Sequence, residues 1–147
     1  MKKVLIIIYL LFSSSIVKSD SKINITVKES TDFTGKEFKR NEEGCGLQKN
    51  QKGNRDKESV LNIFYSKNST IKGGTFECSL QNVIYAKWNR NLIISSVNAS
   101  KGSDNAFEIR NSNAIIKDSK FSFSPQNKCV EGENGLLVFY NNISCFK

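Results

Sequence analysis

The sequence predicts an all-β protein that forms a short solenoid of three to four coils. Residues 61–76 match in kind the residues 23 positions later, and these match the residues 22 positions later again. Each copy holds a short β-branched and aromatic run, a turn that contains asparagine, and a second short apolar run. Short strands separated by turn residues at this rhythm favour β-structure over helix, and a repeat of this length indicates stacked coils.

Alignment of the copies places residues of like kind in columns. The columns are Leu61, Ile84 and Ala106; Asn68, Asn91 and Asn113; Thr70, Ile93 and Ile115; Ile71, Ile94 and Ile116; and Phe76, Ala99 and Phe121. Residues 136–146 look like a compressed fourth copy that follows an insertion around residues 124–134. We expect equivalent strands to pair in parallel, and the asparagines to occupy left-handed turn positions and form a hydrogen-bonded ladder. A β-sandwich is the alternative fold, because Cys78 precedes Trp88, but the regular spacing counts against it.

Three segments carry a resemblance to a known family: residues 68–76, 90–97 and 105–121. They resemble the repeats of right-handed parallel β-helix, or pectin-lyase-like, proteins, and the resemblance covers about 88 residues at the C-terminal end. It implies right-handed coiling. Solenoid ends need caps. The alternating strand pattern of residues 21–27 is expected to supply one cap, and disulfides are expected to hold the other end.

The chain divides into three parts. Lys2 and Lys3 precede an apolar run and a small polar stretch, which predicts a cleaved signal peptide at residues 1–19 and a secreted protein. An uncleaved membrane anchor is the alternative, but the apolar run is short for a span. Residues 20–58 are expected to form a strand or cap and a long polar loop, and residues 59–147 the β-helix repeat domain. No transmembrane segment is expected after cleavage.

Cysteines and glycosylation sequences agree with export. Four cysteines predict two disulfides in an oxidising compartment, and the short loops favour Cys45 with Cys78 and Cys129 with Cys145. We expect glycans on Asn24, Asn98 and Asn142. Asn68 also begins such a sequence. Either the asparagine ladder faces outward there or that site is empty, and we favour an empty site.

Charge and composition limit the function classes. Removal of residues 1–19 takes away Lys2, Lys3 and Lys18 and lowers the formal net charge from +8 to +5. The remaining charges are interleaved, which favours an ordinary solvated surface and gives little support to nucleic-acid binding. Weak attraction to acidic glycans is compatible with this charge. The chain contains no histidine and no closely spaced cysteine pair, so no metal site or cofactor is expected.

The resemblance also implies a comparison with glycan-cleaving enzymes. Hydrolases of the family are expected to use clustered aspartates with Gly-His-Gly and Arg-x-Lys segments, and lyases to use acidic calcium sites. This chain departs from both patterns: the segment around Asp104 offers one carboxylate where a pair is needed, and Glu108 and Asp118 are scattered among polar turns. We therefore expect no enzyme. A glycan-cleaving polysaccharide lyase or hydrolase is the alternative.

A candidate binding surface comes from a further repeat column. Tyr65, Trp88 and Arg110 align in the three copies, so stacked coils would place them in a row. Aromatic rings beside a cation are common at recognition sites, whereas a periodic aromatic column is more often packing. The predicted function is a secreted, non-catalytic binding or extracellular structural module that recognises a glycan or a protein partner through this row.

Overall fold

A computed structural model describes residues 23–40, 43–46, 55–122, 129–141 and 143–146 of the chain. The predicted signal peptide and the predicted glycosylation site Asn142 lie outside the described residues. In the described part, no helix is long and apolar enough to cross a membrane.

The strands follow one another in groups of three, one group for each coil. The N-terminal outer coil contains β1 (Ile25–Val27), β2 (Thr31–Asp32) and β3 (Glu37–Lys39). A helical turn, α1 (Arg55–Glu58), comes next. The three inner coils contain β4 (Leu61–Phe64), β5 (Thr70–Lys72) and β6 (Thr75–Ser79); β7 (Ile84–Lys87), β8 (Leu92–Ser95) and β9 (Asn98–Gly102); and β10 (Phe107–Arg110), β11 (Ala114–Lys117) and β12 (Lys120–Ser122). The C-terminal outer coil contains β13 (Val130–Glu133), β14 (Leu137–Tyr140) and β15 (Ser144–Phe146).

Strands at equivalent places in successive coils pair in parallel and build three sheets. The first sheet has the order β1-β4-β7-β10-β13, the second β14-β11-β8-β5-β2, and the third β15-β12-β9-β6-β3. The predicted all-β solenoid is therefore confirmed. The N-terminal segment contributes three strands, although the sequence pattern indicated only one, because β2 and β3 are too short and polar to show a period.

The pairing register confirms the columns of the second and third strands. Ile71 pairs with Ile94 and Ile94 with Ile116, and Phe76 and Phe121 both pair with Ala99. The first-strand column differs by one residue from the prediction.

In that first-strand column, Ile84 pairs with Phe107 and not with Ala106. The offset between the second and third copies is 23 residues in the first sheet and shortens to 22 only after the following turn, where Leu92 pairs with Ala114.

Inward-facing apolar columns fill the space between the sheets. Phe33, Phe38 and Phe76 pack together near the N-terminal end, with the ring centroid of Phe33 lying 5.4 Å from that of Phe38 and 5.4 Å from that of Phe76. The buried core is built by Leu61, Ile63, Ile71, Phe76, Ile84, Ala86, Leu92, Ile94, Ala99, Phe107, Ile109, Ile116 and Phe121, among others. The core runs along the whole stack, so each coil is held by the coils next to it.

Two disulfides join the cysteines in the predicted pairs. Cys45 bonds to Cys78 with 5.1 Å between the Cα atoms, and Cys129 bonds to Cys145 with 6.0 Å. The first ties residues 43–46 to the third sheet, and the second joins the two ends of the C-terminal outer coil. Disulfides are typical of extracellular proteins.

Replacement of either cysteine pair by serine is expected to lower the free energy of unfolding by about 2–4 kcal/mol, because each bond restricts the unfolded chain. The Cys45–Cys78 pair should give the larger loss, since its partners are 33 residues apart in the sequence and those of Cys129–Cys145 are 16 apart. Denaturant unfolding of the oxidised wild type and the two double variants measures this. A greater loss in the Cys129–Cys145 variant would contradict the argument from loop length.

Candidate functional site

The candidate site lies where the chain turns from the first sheet into the second. We call it the aromatic corner and define it as Tyr65, Lys67, Trp88, Arg90 and Asn111. With Ser66 and Asn89 beneath them, these residues line a shallow groove with a volume of about 440 Å³.

Stacked left-handed residues form this corner. The φ angle is 56° at Tyr65, 58° at Trp88, 47° at Asn111 and 53° at Asn134. Asparagine adopts this conformation readily, whereas a large side chain there costs about 1–2 kcal/mol. Strained backbone positions cluster at functional sites. The later coils have asparagine at these positions, so the turn does not require an aromatic residue. Tyr65 and Trp88 therefore indicate a role in binding as well as in the turn.

The two aromatic rings stack on each other along the solenoid axis. Their centroids are 4.8 Å apart and their planes differ by 18°. The Nζ atom of Lys87 lies 3.7 Å from the centre of the Trp88 ring, which is a cation–π contact. Tyr65 remains 62% exposed and Trp88 42% exposed. The rings therefore stiffen each other without being buried, and most of Tyr65 stays open to a ligand.

A ladder of buried polar side chains supports the aromatic corner from below. The Oδ1 atom of Asn89 accepts hydrogen bonds from the amide and the hydroxyl of Ser66, both 2.9 Å long. Its Nδ2 atom donates to the carbonyl of Ile63 at 2.9 Å, and its amide donates to the hydroxyl of Ser112 at 2.9 Å. Asn89 thus joins all three inner coils at this corner and fixes the turn that carries Trp88.

The asparagine ladder expected from the sequence lies on the surface beside the groove. Nδ2 of Asn91 donates to Oδ1 of Asn68 at 2.8 Å, and both residues are left-handed and exposed. Of the two possibilities for Asn68, the structure thus has the ladder facing outward. Asn113 does not continue the ladder, since its Oδ1 accepts from the amide of Leu136 at 3.0 Å.

Arg110 does not belong to the column of Tyr65 and Trp88. It pairs with Lys87 in the first sheet, and the residue that follows Trp88 in the column is Asn111. Nε of Arg110 donates to the carboxylate of Glu108, and its Nη1 atom lies 2.9 Å from Oε2 of Glu133.

Burial lowers the pKa of Arg110, but the hydrogen bond and charge of Glu108 and the charge of Glu133 outweigh this and hold the pKa above its ordinary value. Two nitrogens of the guanidinium contact carboxylates, and we do not place Arg110 in the aromatic corner.

A second polar cluster surrounds Glu108 on the first sheet. Glu108 is fully buried and accepts a hydrogen bond from Nδ2 of Asn82. Nδ2 of Asn105 donates to Oδ1 of Asn82 at 3.0 Å and to Oε2 of Glu131 at 3.1 Å. The sequence pattern left Glu108 among scattered acidic residues, whereas the fold places it beside Glu131 on the neighbouring strand.

The remaining predicted site residues lie apart from the aromatic corner. Asn98 is exposed in β9, and Asn24 is exposed with its side-chain amide donating to the carbonyl of Ser59 at 2.6 Å. Asp104 is buried in the turn between the third and first sheets, and Asp118 is exposed at a left-handed position. Among the described residues, no group of three or more acidic, cysteine or histidine side chains is arranged to hold a metal ion.

Sequence reasoning missed the cations and the buried ladder of this site. Lys67 and Arg90 form a parallel backbone bridge on adjacent coils. Asn89 lies 23 residues after Ser66 and 23 before Ser112, so a column of small polar residues was present as a signal. Such a column is visible only once the offset of 23 is applied to this part of the repeat.

The fold is that of a parallel β-solenoid. Its aromatic corner presents a stacked aromatic pair and two cations at one edge of the stack. No protein-family model matches the chain, and no curated protein matches it. Among solved structures, the chain is similar to a putative glycosyl hydrolase from Parabacteroides merdae ATCC 43184, with 15% sequence identity and a TM-score of 0.48. The match covers 63% of this chain and 43% of that one, so the chain spans less than half the length of that structure.

Proposed function

We propose that this protein is a secreted, non-catalytic module that binds a glycan at the aromatic corner. The observation that carries the proposal is the exposed stack of Tyr65 and Trp88, held at strained left-handed positions. Rigid aromatic side chains provide large contact areas at little cost in conformational entropy, and they dominate many recognition sites.

The shape of the corner suits an extended, repeating ligand. The groove is shallow and follows the stacking direction, and its side chains recur once per coil, about every 4.8 Å. Exposed amides at Asn68, Asn91 and Asn111 supply hydrogen-bonding groups next to the rings. A polymer of ring-shaped, hydroxyl-bearing units fits such a row better than a compact small molecule, which prefers an enclosed cavity. A protein partner is the other outcome that a binding screen would detect.

Substitution of Trp88 should weaken glycan binding strongly without unfolding the protein. We expect Trp88→Asn to weaken glycan binding about 30-fold or more, as for a recognition hot spot. Its stability should stay within about 1 kcal/mol of wild type, because relief of left-handed strain offsets the lost ring stacking. A glycan array identifies a binder, and calorimetry then measures its affinity for wild type and variant.

Tyr140→Ala is the matched control for this experiment, since Tyr140 is also an exposed tyrosine but lies on the C-terminal outer coil. Wild-type glycan affinity in Trp88→Asn, or an equal loss of affinity in both variants, would contradict the proposed site. If a protein binds and no glycan on the array does, the ligand of the aromatic corner is a protein partner and not a glycan.

Glycan cleavage is the second candidate function, and one observation favours it. Glu108 and Glu131 pair in register on adjacent strands, so two carboxyl groups share one side of the first sheet. A glycosidase needs two such groups flanking the scissile bond. However, Glu108 is fully buried and bonded to Arg110 and Asn82, which leaves it no open face for a substrate. New reducing ends in the same glycan incubations, lost in Glu131→Gln, would establish cleavage.

A further inference from the structure

We infer that the glycan recognised at the aromatic corner is anionic and carries carboxylate or sulfate groups along its length. This inference rests on the proposed function and names its ligand class. The observation behind it is the charge of the groove: its lining contains Lys67 and Arg90 and no acidic side chain.

Both cations are available to a ligand. Lys67 and Arg90 are exposed, and neither contacts a carboxylate among the described residues. Several cations on other faces pair with carboxylates. Lys39 lies 3.8 Å from Glu77, which also contacts Lys101, and Lys72 lies 3.9 Å from Asp32. The groove thus keeps positive charge that the nearby protein does not neutralise.

The backbone holds the two cations in a fixed relation. The amide of Asn68 donates to the carbonyl of Arg90, and the amide of Arg90 donates to the carbonyl of Ser66, both at 2.9 Å. Lys67 and Arg90 therefore start from adjacent coils, about 4.8 Å apart. They stand beside the aromatic stack, so a ligand ring on Tyr65 and an acidic substituent at the cations can be bound together.

The chemistry of the two side chains favours an oxyanion. A guanidinium offers paired donors that match the planar geometry of a carboxylate or the oxygens of a sulfate, and an ammonium adds a mobile point charge. Lys87 contributes a third positive charge near Trp88. Neutral sugars offer these cations hydrogen-bond acceptors but no countercharge, whereas acidic groups repeated along a chain would neutralise them in successive coils.

Matched charged and neutral probes test this inference. Polygalacturonate oligomers are compared with their methyl esters, and chondroitin sulfate oligomers with desulfated chondroitin, each at low and high salt. We expect the acidic member of at least one pair to bind about tenfold or more tightly, and its advantage to shrink as salt screens the charges. The pair that shows the preference distinguishes carboxylate from sulfate.

The variant Lys67→Gln/Arg90→Gln should lose about tenfold in affinity for the acidic probe and keep its weak binding to the neutral one. Lys36→Gln/Lys120→Gln removes the same charge from other exposed positions and should bind as wild type does. Equal binding of acidic and neutral probes would overturn the anionic ligand while the proposed function stands. Absence of binding to every glycan overturns both, and tighter binding to a single-stranded oligonucleotide would assign the corner to nucleic acid instead.

Discussion

Replacement of Asn89 by leucine is expected to lower the free energy of unfolding by about 5 kcal/mol. Asn89 is buried, and its side chain satisfies the amide of Ser66 and the carbonyl of Ile63. Leucine has a similar volume but no polar atoms, so both backbone groups and the Ser66 hydroxyl would be left without these partners. Each buried group without a partner costs about 1–3 kcal/mol. Equilibrium unfolding in urea measures the loss.

Asn89→Ser provides the matched control for this prediction. Ser112, the next residue of the same ladder, accepts the amide of Asn89 through its hydroxyl at 2.9 Å. A serine at position 89 can therefore accept the amide of Ser66 in the same manner, and we expect a loss of only about 2 kcal/mol, for the unpaired Ile63 carbonyl. Similar stability of the leucine variant and wild type would show that the ladder does not hold this corner together.

Replacement of Phe76 by alanine is expected to cost about 4 kcal/mol through the cavity it leaves. Phe76 is fully buried, pairs with Phe38 and Ala99 on the neighbouring coils, and stacks on the Phe38 ring at 5.3 Å. The small side chain of Ala99 cannot fill the space. The denaturation midpoint of Phe76→Ala, measured beside wild type, tests the prediction.

Phe139→Ala is the control, because Phe139 occupies an inward column but is 50% exposed in the C-terminal outer coil. Because half of its surface stays in solvent, its loss should cost about 1–2 kcal/mol, about half or less of the cost of the buried ring. Equal costs for the two phenylalanines would mean that position along the stack does not determine the contribution of a core residue.

Much of the fold was predictable because its columns are apolar. The partners of Ile94 and of Phe121 follow directly from the spacing of the repeat, since a parallel stack places like residues over one another. Two strands, β2 and β3, were not predictable. β2 and β3 consist of two and three residues with few apolar side chains, so their sequence shows no strand period. They form because β5 and β6 offer them open edges.

The candidate site was predictable only in part, for a related reason. Tyr65 and Trp88 were found, but Arg110 was placed with them through an offset of 22 where the first sheet keeps 23. The shortening occurs between Arg110 and Ala114, where the residues are all polar and no apolar pattern marks the missing position. When the alignment uses the offset found after the turn, every residue before the turn is assigned to the wrong column. The backbone pairing shows where the one-residue shortening lies.

Among the described strands, β13, β14 and β15, like β1, β2 and β3, each pair on one edge alone, so we expect the stack to fray from its ends inward. Tyr65 and Trp88 belong to inner coils, so we expect the groove beside them to stay assembled when the outer coils open. A polymer that bridges both rings would also clamp two coils together, and the protein would resist heat better when loaded than when empty.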